Sequence, residues 1–148
     1  MINIIMEKKC VLVTDDNAAD YFLIQKALQE CCPEVRLEWV KDGVELLAHL
    51  QKRPHPDVVL LDLNMPRKNG FEALNDIKAR PELSHIPIVV LTTSRDEEHI
   101  LQAYQVGSSG FIRKPASYPD LKKFMSAFAR YWFDIVELPP NNRPFVAA

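Results

Sequence analysis

Apolar residues along this chain fall into short consecutive runs separated by longer stretches of helical period. The first run, CVLVT at 10–14, precedes NAADYFLIQKALQECC, where Leu23, Ile24, Ala27, Leu28 and Cys31 recur at helical spacing. Pro33 supplies the stop. VRLEWV at 35–40 alternates and predicts a strand covered on one side, and GVELLAHLQK at 43–52 predicts a short helix with Leu46, Leu47 and Leu50 on one face. DVVLLD at 57–62 and IPIVVLT at 86–92 are apolar at consecutive positions, as strands buried on both faces are. GFEALNDIKA at 70–79 reads as a helix halted by Pro81, and EEHILQAYQV at 97–106 as one with Gly107 placed as its stop. SGFIRK at 109–114 is the fifth strand. The last helix begins near Ser117–Pro119 and carries the stripe Leu121, Phe124, Met125, Phe128, Ala129 and Trp132, with Pro139 and Pro140 as its end.

Strand and helix thus alternate five times, which predicts an α/β fold: a doubly wound, five-stranded parallel sheet with helices on both faces. The expected organisation is a lead at 1–8, one domain at 9–136 and a short tail at 137–148. Composition agrees with that picture. The chain has 148 residues, net charge −2, 47% hydrophobic and 26% charged residues, which suits one globular domain. The near-neutral balance gives no electrostatic footprint for nucleic acid. No apolar run approaches the roughly 20 residues of a membrane span, and the first residues lack a secretory signal pattern. Cys10, Cys31 and Cys32 make a poor disulfide framework, so a cytoplasmic setting is expected. His49, His55, His85 and His99 have no zinc spacing and are expected at the surface.

In a doubly wound sheet, ligands bind beyond the carboxyl ends of the strands. The first strand ends in Asp15 and Asp16, the third in Asp62, the fourth in Thr92 and the fifth in Lys114. Three carboxylates at one sheet edge repel and raise at least one pKa. A divalent cation resolves that conflict, and oxygen ligands point to Mg2+. With a lysine and a hydroxyl beside it, such a site stabilises a transferring phosphoryl group, and Asp62 becomes the candidate nucleophile. The plain structural roles are a turn residue for Asp62 and the N-cap of the first helix for Asp16. Five residues of the required types at four strand ends outweigh them.

With DD at 15–16, DLNMPRKNG at 62–70, TT at 92–93 and KP at 114–115, the chain resembles the response-regulator receiver domains of two-component signalling over about residues 8–132. The resemblance implies the flavodoxin-like strand order 2-1-3-4-5 and phosphorylation of Asp62 by a histidine kinase or phosphotransfer protein. It implies that Asp16, Asp62 and the carbonyl of Asn64 hold Mg2+, with Asp15 acting through water. It further implies that Lys114 and Thr92 contact the phosphoryl oxygens, that the Lys114–Pro115 bond is cis, and that Thr92 and Phe111 form the switch. Gly70 would start the third helix where a side chain would crowd the turn. Two positions depart from the family's habit: Thr93 stands where Ala or Gly is usual, and Thr14 replaces an apolar residue and is expected to hydrogen-bond locally. LTTS and YWFDIVELPP are similar to a stand-alone subgroup that includes cyanobacterial phytochrome response regulators.

Other readings differ in class. An aspartyl-nucleophile phosphatase or phosphotransferase would want an acid two residues after Asp62, where this chain has Asn64. A nucleotide or flavin binder would want a glycine-rich turn after the first strand, and TDDNAAD has none. A degenerate receiver acting by binding alone would lack reactive positions present here. No DNA-binding or enzymatic domain is expected from the sequence, so signalling is expected to proceed by protein contact or onward phosphotransfer. Tyr131 and Phe133 fall off the core stripe of the last helix, which suggests a homodimer built on that helix and its extension, against the alternative of a tail folded back on its own domain.

Overall fold

Alternate residues of each central strand face opposite helical layers. The structure is a computed structural model that describes residues 9–140. In β1 (Cys10–Thr14), Val11 and Val13 join one core cluster and Leu12 the other. β3 (Val58–Leu61) divides the same way, with Val58 and Leu60 on the first side and Val59 and Leu61 on the second. β4 (Ile88–Thr92) sends Val89 and Leu91 to the first side and Ile88 to the second. This is why these strands read as unbroken apolar runs: the pleat gives each face every second side chain, and both faces are covered.

β2 (Arg36–Val40) and β5 (Gly110–Arg113) are the edge strands and stay partly exposed. All pairings are parallel, in the order β2-β1-β3-β4-β5. α1 (Ala18–Cys31) and α5 (Tyr118–Ala129) pack together on the first face. α2 (Gly43–Leu50), α3 (Gly70–Ala79) and α4 (Glu97–Val106) cover the other. Leu12, Leu46, Leu50, Leu74 and Ile77 are fully buried there. Each such side chain contributes about 1.5–3 kcal/mol relative to exposure.

The five α-helices of the described residues each open on a side-chain cap: Asn17, Asp42, Asn69, Asp96 and Ser117 each accept from a backbone N–H of the first turn. Asn69 and Glu72 form a reciprocal capping box. Gly107 ends α4 with φ 119°, a left-handed conformation suited to glycine.

Three expectations need correction. The alternative role weighed for Asp16 also falls away: the cap of α1 is Asn17, because the chain is still extended at Asn17 and its amide oxygen reaches the Asp20 N–H at 3.0 Å. The last helix stops at Ile135, short of Pro139, after a π-helical turn over Arg130–Ile135. A π turn advances each residue by a smaller angle than an α turn, so Phe133 swings toward the core beside Trp132 instead of away from it. Val136 and Leu138 follow it onto the same cluster, so this part of the extension folds back on its own domain. His55 is buried, not at the surface: it follows the turn carrying the cis Arg53–Pro54 bond and its ring lies 5.9 Å from that of His85. The expected lead at 1–8 and the tail beyond residue 140 lie outside the described residues.

Candidate functional site

Parallel pairing alone brings the carboxyl ends of β1, β3, β4 and β5 to one edge. Asp15 continues β1, its N–H donating to the Val40 carbonyl at 3.1 Å, and Asp62 leaves β3 with its N–H on the Thr14 carbonyl at 3.0 Å. One oxygen each of Asp15, Asp16 and Asp62 lie within 4.8 Å of one another. Asp15 and Asp62 are buried, and Asp16 is exposed. A group of hard oxygen donors with one open side fits Mg2+ or Mn2+ and offers nothing to a metal that prefers sulfur or imidazole.

Lys114 reaches across the sheet from the end of β5. Its N–H donates to the Thr92 carbonyl at 2.8 Å, fixing the two strand ends together. Its ammonium donates to Asp15 Oδ2 at 2.7 Å, Asp20 Oδ2 at 2.9 Å and Asp62 Oδ2 at 3.2 Å. An ammonium has three donors, and all three are engaged. The other oxygen of Asp62, Oδ1, accepts from the Asn64 N–H at 3.2 Å. Burial pushes the Asp15 carboxyl above the usual carboxylate value; hydrogen bonds from Lys114 and the Asn17 N–H pull it down, and Asp62 adds a smaller upward push. Desolvation, rather than mutual repulsion, is thus the main cause of the rise anticipated among these carboxylates. Burial pulls Lys114 down, but the surrounding carboxylates outweigh it and hold the ammonium well above its ordinary value.

Thr92 is fully buried at the end of β4, and its hydroxyl oxygen accepts from the Ser94 N–H at 3.4 Å. Phe111 is half-buried on β5 and packs with Phe71 against Leu63, Val90 and Ala103. That patch includes Leu63, the residue after Asp62, and Ala103 of α4. Thr93 is exposed. The buried Thr14 hydroxyl has no hydrogen-bond partner among the described residues, contrary to the local bond anticipated for it. The Lys114–Pro115 bond is trans, also contrary to expectation; the cis bond among the described residues is Arg53–Pro54. Trans is the intrinsically preferred X–Pro isomer by about 0.5–1 kcal/mol, and the trans chain already delivers Lys114 to its three carboxylates.

Two contributors escaped the sequence reading. Asp20 shares the Lys114 ammonium from the first turn of α1; its only sequence signal is a position one helical turn after Asp16. Trp39 on the edge strand donates its indole N–H to the Asp15 carbonyl at 2.8 Å while stacking on Tyr21 at 4.5 Å. Gly70 holds the loop after Asp62 closed: its N–H donates to the Leu63 carbonyl at 3.0 Å, and a Cβ there would collide with the Asp62 carbonyl oxygen and Leu63 Cα.

Comparison with known proteins agrees with this geometry. Residues 11–126 match the response regulator receiver domain family. The chain is 35% identical over 137 residues to response regulator Rcp1 of Synechocystis sp., covering 88% of this chain and 93% of that protein. The phosphorylated cyanobacterial phytochrome response regulator RcpA superimposes with a TM-score of 0.85 at 35% identity, covering 90% of this chain and 100% of that one. The Mn2+-bound form of Rcp1 does so with a TM-score of 0.82 at 35% identity, covering 89% and 99%. Strand order, the carboxylate group at the sheet edge and a family match over most of its length together make this chain a member of the response-regulator receiver family.

Proposed function

We propose that this protein is a phosphorylation switch whose acceptor is Asp62. The observation that carries the reading is the setting of that carboxylate: buried, hydrogen-bonded to Lys114 through one oxygen and to the Asn64 N–H through the other, with Asp15 and Asp16 alongside. The donor is a histidine kinase or a phosphotransfer protein. An Asp62 oxygen attacks the phosphorus of the phosphohistidine; the P–N bond breaks, and the imidazole leaves with the electron pair and takes up a proton. Lys114 neutralises charge on the phosphoryl oxygens and Thr92 supplies a hydroxyl donor. Asp15, Asp16, Asp62 and the Asn64 carbonyl would hold Mg2+, which supplies further neutralisation of the phosphoryl charge. A surface groove of about 530 Å³ lined by Asp16, Asn64, Met65 and Phe71 gives a donor access from the solvent side.

Asn64 cannot shuttle a proton, so the protein is read as a signalling acceptor in the cytoplasm and not as a hydrolase. The receiver unit spans 9–136, and output runs through protein contact or onward phosphotransfer. Thr92 turning toward the phosphoryl group and Phe111 moving inward behind it are the proposed response. Mass spectrometry after incubation with Mg2+ and a small phosphodonor tests the acceptor. Wild type gains one phosphoryl group, and Asp62→Asn gains none at that position. Equal labelling of the two would move the acceptor elsewhere.

A homodimer through the end of α5 is proposed with it. Tyr131 is 52% and Ile135 63% exposed, and Leu101 and Tyr104 of α4 are also exposed. Trp132 is buried in the core and Phe133, Val136 and Leu138 pack against it, so truncation would disturb the fold; Tyr131→Ser with Ile135→Ser, at exposed positions, is the usable variant. Light scattering should show a dimer for wild type and a monomer for the double variant. A monomeric wild type at high concentration, phosphorylated or not, would defeat the dimer.

A further inference from the structure

The segment that follows Asp62 contains the single non-glycine residue of positive φ among the described residues: Arg67, at φ 62°. A side chain disfavours this left-handed conformation, and neither a short polar group nor glycine is there to ease it. Something must hold it. Arg67 Nε donates to Asp42 Oδ2 at 2.7 Å, and its terminal nitrogen lies 2.6 Å from the same oxygen. Asp42 is nearly inaccessible, with a side chain only 7% exposed. Its other oxygen accepts the Glu45 N–H at 2.9 Å and so caps α2. The next residue, Gly43, donates its N–H to the Lys68 carbonyl at 3.0 Å. A Cβ on Gly43 would come within 2.6 Å of that oxygen, so the first turn of α2 is seated directly on the loop. Burial pushes the Asp42 carboxyl up, yet the Glu45 N–H and the Arg67 guanidinium prevail and hold it below its usual value.

We infer that Asp42 and Arg67 form a clamp that keeps the acceptor loop in a strained conformation and thereby positions Asn64. They are positioning residues, acting through the backbone between Asp62 and Gly70 without touching the phosphoryl group. The functional consequence rests on the proposed reading of Asp62 and Asn64; the mechanical claim does not.

Substitutions at position 67 separate strain from charge. Arg67→Ala keeps the steric conflict and removes the clamp. Arg67→Gly removes both. Asp42→Asn keeps an effective N-cap and weakens the clamp. Amide hydrogen exchange on the full chain without metal reads the loop through the N–H groups of Gly43, Asn64 and Gly70. The expected result is exchange about tenfold faster in Arg67→Ala, several-fold faster in Asp42→Asn, and within about threefold of wild type in Arg67→Gly. Amides of β4, remote from the clamp, should stay unchanged and so exclude a global loss of stability. Mn2+ affinity followed by Trp39 fluorescence should fall in the same order, a readout that mere loss of stability would not move. Wild-type exchange in Arg67→Ala, or equal acceleration in Arg67→Ala and Arg67→Gly, overturns the clamp. A wild type that binds no Mn2+ would sink the metal reading while the exchange ranking still decides the clamp.

Discussion

The two ends of β1 carry two polar clusters of opposite character. At its carboxyl end, Asp15, Asp20 and Asp62 share the ammonium of Lys114, and Asp16 brings a further carboxylate to Asp15 and Asp62. At its amino end, Cys10 donates its N–H to Asp57 Oδ2 at 2.8 Å and its thiol to Glu38 Oε1 at 3.0 Å. Glu38 in turn lies 3.8 Å from Arg36 and 3.6 Å from His49. The first cluster has too many negative charges for its cation and demands another positive partner. In the second, each anionic group has a donor or cation beside it. Burial raises Glu38, but Cys10, His49 and Arg36 outweigh it and leave the carboxyl below its usual value. A polar cluster is therefore not a functional site by virtue of being polar: the uncompensated charge at one end is what the proposed chemistry rests on, and the balance at the other suits a structural role.

The largest break in this comparison should come from the acidic end. Asp16→Ala removes one of the three oxygens that meet, and calorimetric titration should find no measurable Mg2+ or Mn2+ affinity. Asp20→Asn, which removes a negative charge outside that trio, should weaken affinity only about threefold, the scale of a screened interaction between partly exposed groups. Equal losses in the two variants would make the charge excess, rather than the three-oxygen group, responsible for binding.

A smaller effect is expected at the balanced end. Cys10→Ala should lower folding stability by about 1 kcal/mol, the ordinary size for a conservative loss, and leave the phosphorylation rate within twofold. Altered phosphorylation at normal stability would show that the two ends are coupled. Burial and then Glu38 push the Cys10 thiol from 9.0 up to about 12. A folded value above the ordinary one means that the fold favours the protonated thiol. Its stabilising contribution is complete below pH 9 and drains away as pH rises toward 12. Denaturant midpoints at pH 8 and pH 10 should therefore fall more steeply for wild type than for Cys10→Ala. Parallel slopes would remove the thiol from the pH response.

What local sequence encodes follows from the range of each interaction. The bounds of α3 and α4 are legible residue for residue, because apolar period, Pro81 and Gly107 act within a few residues. The double burial of β3 and β4 is legible because consecutive apolar residues report both faces of a pleated strand. The strand ends then nominated Asp15, Asp16, Asp62, Thr92 and Lys114, since parallel strands share one carboxyl edge.

The sequence by itself thus determined the layering of the sheet and the carboxylates, hydroxyl and lysine that meet along its edge. Tertiary structure decided how those residues are shared and supported. Lys114 pairs with Asp20 from 94 positions away, and Arg67 with Asp42 from 25 away. No local pattern encodes either pairing. The inward turn of Phe133 depends on a π turn at the end of α5, and the burial of His55 on the chain that folds around it. Local periodicity records which face of an element is apolar. Which charge meets which, and which backbone is held under strain, depends on loops closing over distances that periodicity does not span.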